Sequence, residues 1–138
     1  MYRTLTLSAL AVAFVFGAAV MANEKPTPEF QTVMKSNGSV GQALKTHTSA
    51  KDYDAIAADA ATLKANYTKI EAFWTQKKVD DAIAFAKTGL KGATDLEAAA
   101  KAKDDAAIAT SSAAITGTCA GCHTAHRERL ADMTFEIK

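Results

Sequence analysis

Residues 53–74 read YDAIAADAATLKANYTKIEAFW. Tyr53, Ile56, Ala60, Leu63, Tyr67, Ile70 and Trp74 recur at spacings of three and four, which places them on one stripe of an α-helix. Lys77 and Lys78 follow, and cations suit the negative end of a helix dipole. The rest of the chain agrees with this stretch. Alanine fills 25 of the 116 positions after residue 22, whereas valine and isoleucine together fill nine. Alanine is the least costly residue to hold in a helix, and β-branched residues are those that strands favour. Both prolines, Pro26 and Pro28, precede Glu29, so the remainder can be helical nearly throughout and no sheet is expected.

Three further helical segments lie on either side. Upstream, after a short Asn23–Thr27 lead, Phe30, Val33, Met34, Asn37, Gly41 and Leu44 follow a helical face. Thr46-His47-Thr48-Ser49 breaks that face and offers capping hydroxyls. Downstream, Asp80 or Asp81 can open a segment whose stripe includes Ile83, Ala86, Leu90 and Leu96. Gly89 and Gly92 each cost about 1 kcal/mol against alanine inside a helix, so a bend or break is expected there. Asp104 or Asp105 can cap the last segment, which carries Ile108, Ser112, Ile115, Cys119, Cys122, His123 and Leu130. Four antiparallel helices joined by short loops, an all-α four-helix bundle, is the economical arrangement.

The first 22 residues differ in kind. They hold 17 apolar positions and one charge, Arg3, with small Val20 and Ala22 flanking the expected cut after Ala22. That pattern predicts a secretory signal peptide at 1–22 and a periplasmic mature domain at 23–138. A membrane anchor is the competing reading, since the apolar run from Leu5 to Met21 approaches the roughly 18 residues a span needs; small flanks and the lack of a following basic cluster favour cleavage. Without residues 1–22, Lys+Arg and Asp+Glu both number 15, a formal charge of zero. Such a chain is not expected to bind nucleic acid or an anionic membrane surface, nor to stay inserted in a membrane after cleavage.

Residues 119–123 read Cys-Ala-Gly-Cys-His. This is the pattern of covalent haem attachment, in which two thiols form thioethers with the haem vinyl groups and the imidazole ligates the iron. On a helix, cysteines three apart leave the same side, and His123 projects beside them. Gly121 puts no side chain between. A thioredoxin-like redox pair, half a zinc site or a plain disulfide would use the same cysteines. The first expects a βαβ context and the second two more ligands, whereas only His47 and His126 remain. Haem c, one per chain, is the expected cofactor.

Only 15 residues follow His123. With the four-helix pattern, this late motif resembles the class II cytochromes c, the cytochrome c-prime superfamily, over essentially the whole chain after residue 22. The continuation Thr-Ala-His126-Arg127 keeps the family's basic residue four after the histidine, but has His126 where an aromatic is usual. Val33-Met34-Lys35-Ser36-Asn37-Gly38 resembles the stretch that carries the methionine ligand of the low-spin branch, so the resemblance implies Met34 as sixth ligand. Phe30 stands where the high-spin branch tends to have arginine. The residues alone make a weaker case for Met34: a thioether suits haem iron, and Met133, ten residues past His123, is expected on the same helix and so on the wrong face of the ring. A core methionine filling a gap would look the same.

The resemblance implies a one-electron carrier with His/Met-ligated iron and redox proteins as partners. The competing reading is a five-coordinate module that binds or senses nitric oxide or carbon monoxide. No base–nucleophile pair or phosphate loop is present, so no enzymatic activity is expected. His47 is the runner-up sixth ligand, which would give a bis-histidine site, but is expected in a loop or at a helix end, and His126 is expected at the surface. Arg127 and Arg129 are candidates to pair with propionates, and Phe30, Tyr67, Phe73, Trp74 and Phe85 to shield the ring. Family members often form homodimers through the first two helices; composition leaves this open.

Overall fold

Thr27 opens the first helix: its Oγ1 accepts the Phe30 amide at 3.2 Å, and Pro28 sits in the first turn, where its missing N–H leaves no bond unmade. The structure, a computed structural model, describes residues 23–138, and the expected signal peptide lies outside the described residues. Four helices follow: α1 (Pro28–Ala50), α2 (Tyr53–Lys77), α3 (Asp80–Ala102) and α4 (Asp105–His126). Two-residue connections turn the chain back each time, so consecutive helices run antiparallel and the expected four-helix bundle results. Lys51, Lys78 and Lys103 close the first three helices in the left-handed conformation, with φ of 55–57°.

The caps correct one expectation. Thr46–Ser49 does not interrupt α1, because Ser49 Oγ donates back to the Lys45 carbonyl at 2.9 Å instead of capping the next helix. Asp52 does the capping, its Oδ1 accepting the Ala55 amide at 3.1 Å. Asp104 caps α4 in the same way at 3.0 Å. At α3, Val79 stands in the cap position with no side-chain bond, and Asp80 and Asp81 instead face the positive end of the dipole.

The α2 stripe is the spine of the core: Ile56, Ala60, Leu63, Tyr67, Ile70 and Trp74 are all buried. α3 runs unbroken through Gly89 and Gly92, contrary to the expected bend. Its buried face is built from Ala82, Ala86, Gly89, Gly92, Ala93 and Leu96, while Ile83 and Leu90 are only half-buried. Small residues let the neighbours come close. A Cβ at Gly92 would stand 2.9 Å from Ile115 Cγ1 of α4, and one at Gly89 would overlap the Tyr67 ring. The glycines therefore trade helix propensity for packing.

The expectation of no sheet fails in the last twelve residues. α4 stops at His126, and Arg127–Arg129 (β1) pairs antiparallel with Phe135–Ile137 (β2), Arg127 opposite Ile137 and Arg129 opposite Phe135. Leu130 thus lies in the hairpin turn and not on a helix. Glu24 bridges Ile137 through two backbone bonds of 3.0 and 2.8 Å, so the segment before α1 and the chain's end form one cover. Asn23 Nδ2 adds a bond of 2.8 Å to Glu128, and Lys77 pairs with Glu24. Phe135-Glu136-Ile137 alternates apolar and polar, the only strand-like signal in that region. No helix among the described residues is long and apolar enough to cross a membrane.

One ion cluster couples α2 to α3. Glu97 accepts Lys101 at 2.5 Å and Lys64 of α2 at 2.7 Å, and those two cations hold its carboxyl at about 2. Because the folded value lies below the ordinary 4.5, the cluster stabilises fully above that value and is lost as pH falls toward 2. Thermal melts of the chain and of Lys64→Met should therefore differ at pH 6 and converge by pH 2. The difference should also shrink in high salt, since these groups face water. An equal gap at both pH values would assign the effect to the lysine stem.

Candidate cofactor site

The bundle is not closed evenly. α2 packs on α3, α3 on α4 and α1 on α2, whereas α1 and α4 barely approach one another. Between these two helices lies a cavity of about 460 Å³, within the roughly 300–1,000 Å³ usual for ligand pockets. Cys119, Cys122 and His123 line it from α4, and Met34 lines it from α1. The four residues singled out in the sequence are thus brought to one space, Met34 from α1 and the other three from α4.

The remaining walls are mostly apolar. Phe30 of α1 and Trp74 of α2 contribute rings, and Phe135 and Ile137 of the hairpin cover the end near His126. Among the expected shielding aromatics, Phe73 lines no part of the cavity. It stacks behind Phe30, with centroids 4.0 Å apart, and meets Trp74 edge-on at 5.2 Å. Tyr67 and Phe85 instead border a void of about 30 Å³ beside Met34, Cys119 and His123. Gly121 makes room for Phe85 of α3: a Cβ there would come within 2.7 Å of its Cε1.

Local electrostatics disfavour charge on Cys122 and His123. Burial, with Cys119 and Asp81 nearby, pushes the Cys122 thiol up to about 11, so it stays an S–H at neutral pH. Burial, then the Arg127 guanidinium, pulls the His123 imidazole below its ordinary value, leaving the neutral form with a nitrogen lone pair available to a metal. Tyr67 Oη stands 3.2 Å from Cys119 Sγ, and burial raises its phenol well above the usual range.

The other expected residues divide. His47 is in the last turn of α1, its Nδ1 2.7 Å from Asp59 Oδ2, and does not reach the cavity. His126 is not at the surface as expected. Its side chain is 11% exposed, borders the cavity, tilts against Trp74 at 5.1 Å, and places Nε2 2.9 Å from Asp81 Oδ2. Arg127 borders the cavity and lies 4.5 Å above the Phe135 ring; Arg129 is further out, donating to Met133 Sδ at 3.1 Å. Met133 is not on a helix at all, and at 63% exposure in the hairpin turn it turns away from the site. Among the described residues no three His, Cys, Asp or Glu side chains gather in a cluster able to hold a metal ion.

Thiols, an imidazole and a thioether are the donor types that a covalently held tetrapyrrole would use. Two thiols one turn apart and an adjacent imidazole from α4, with a thioether from α1, border one largely apolar space between two helices that make few contacts with each other. Sequence reasoning missed the contributions of Pro26, Gln31, Asn37, Glu136 and Ile137 to the walls. Most come from the cover, whose pairing is long-range and whose local signature is only the short Phe135-Glu136-Ile137 alternation. No family model, no curated protein and no solved structure matches the chain.

Proposed function

We propose that the chain is an exported c-type cytochrome of the class II kind, carrying one electron at a time through a single haem c. The observation that supports this most is the opening between α1 and α4, with the Cys-x-x-Cys-His motif on one wall and Met34 on the other. The group supplies a one-electron ferric/ferrous couple when bound. The protein's part is to hold and insulate it. Cys119 and Cys122 would each add across a vinyl group, sulfur to one carbon and the thiol hydrogen to the other. His123, kept neutral, would ligate from the α4 side and Met34 from the α1 side. Phe30, Trp74 and the cover exclude water, which disfavours the ferric charge and raises the potential. The sequence of residues 1–22 supports delivery to the periplasm, where redox proteins are the partners.

The void beside Met34 favours a second reading. At about 30 Å³ it can take a molecule the size of water, so a small gas could enter if Met34 left the iron. Intact mass and the ferric spectrum of the purified exported protein decide. Electron transfer expects one haem mass per chain, a low-spin spectrum and a near-infrared sulfur-to-iron band. A high-spin spectrum would favour gas binding, and a colourless protein of unmodified mass would end both readings.

A further inference from the structure

We propose that Asn66 of α2 is the positioning residue that sets the register and rotation of α1, and so presents Met34 to the cavity. α1 is attached chiefly through α2, since it hardly meets α4. Its buried apolar residues are Phe30 and Val33 at one end and Leu44 at the other. Residues 34–43 contribute only half-buried or exposed positions. Apolar packing is non-directional and would tolerate small rotations of so thinly attached a helix. Asn66 supplies direction in that stretch.

The Asn66 side chain is buried, at 7% exposure, and its Nδ2 donates to Ser36 Oγ at 2.9 Å and to Asn37 Oδ1 at 2.8 Å. Both acceptors belong to α1, two and three residues after Met34. On a helix they lie about 3–4.5 Å along the axis and at fixed angles from it, so holding them holds the azimuth of Met34. Any slip of α1 would break both bonds and strand a buried amide, which gives register strong selectivity. Asn37 also borders the cavity, so the anchor acts beside the site and not at a distance.

This inference rests on the proposed function for the group to which Met34 is presented, but not for the placement of Met34 itself. The test compares Asn66→Leu, similar in volume, with Asn66→Asp, whose carboxylate can accept from the Ser36 hydroxyl and from a turned Asn37 amide. Ile108→Val on α4 serves as a destabilised control. In the haem-loaded chain, Asn66→Leu should reduce the sulfur-to-iron band at least threefold, while Asn66→Asp and Ile108→Val keep most of it. A second readout does not depend on colour: the rate at which peroxide oxidises the Met34 sulfur in the purified chain, with exposed Met133 as internal reference. Asn66→Leu should raise that rate at least threefold, and Ile108→Val should not. If the unaltered chain lacks the band, Met34 is not the ligand and the proposed function fails, while the oxidation rates still judge the anchor. If Asn66→Leu melts earlier yet keeps both the band and the slow oxidation, Asn66 is packing alone and the inference is overturned.

Discussion

Under the proposed function, replacing Met34 with alanine in the haem-loaded protein should convert a low-spin ferric spectrum to a high-spin one and abolish the sulfur-to-iron band. Met34 is the one methionine on the cavity wall, and it comes from a different helix than the motif. Met133, the other one among the described residues, is turned outward in the hairpin. His47 is held by Asp59 away from the cavity, so it cannot substitute without unwinding the end of α1. Loss of the thioether should also lower the potential by at least about 59 mV, one tenfold step in a one-electron equilibrium. The fold should survive, because Met34 is half-buried beside open space and its truncation removes little packing. Exogenous carbon monoxide or nitric oxide should then bind more tightly than to the unaltered protein. A spectrum identical to that of the parent would mean that Met34 never held the iron.

Gly89→Ala should destabilise the protein by about 1–3 kcal/mol, against the gain of about 1 kcal/mol that the same change brings in an exposed helix. A Cβ at Gly89 would stand 2.1 Å from Tyr67 Cε1, 2.4 Å from Cζ and 2.6 Å from Cδ1. The ring has little freedom to move. It is 3% exposed, and its hydroxyl stands 3.2 Å from Cys119 Sγ at the site. Either α3 withdraws from α2 or the phenol leaves the cysteine, and each alters the wall behind the motif. For a domain of this size the loss corresponds to a melting temperature lower by roughly 4–12 °C. Gly41→Ala on α1 is the control. Nothing lies within 4 Å of a Cβ there, so the ordinary propensity gain should appear. A neutral or stabilising Gly89→Ala would show that α2 and α3 do not pack this closely.

The two glycines of α3 show where local reasoning stops. Their helix cost is a local quantity and suggested a bend, but their use is a contact between helices far apart in sequence. The same holds for His126, which looks like a surface residue until Asp81 and Trp74 are seen to enclose it. It holds also for Asn66, whose partners lie 29 and 30 residues away.

What the amino-acid order determined by itself is the part that depends on neighbours along the chain. Alanine content and stripes at helical spacing settled four helices, since each turn is made from residues three and four apart. The same local geometry put Cys119, Cys122 and His123 together, and family resemblance, not spacing, singled out Met34. The tertiary structure alone decided that α1 and α4 stand apart around a cavity, that Met34 and the motif border the same space, and that both ends of the described chain are stitched into a cover. Those features arise from contacts between segments as far apart as Glu24 and Ile137, whose pairing is chosen by the burial and hydrogen bonding of the whole chain.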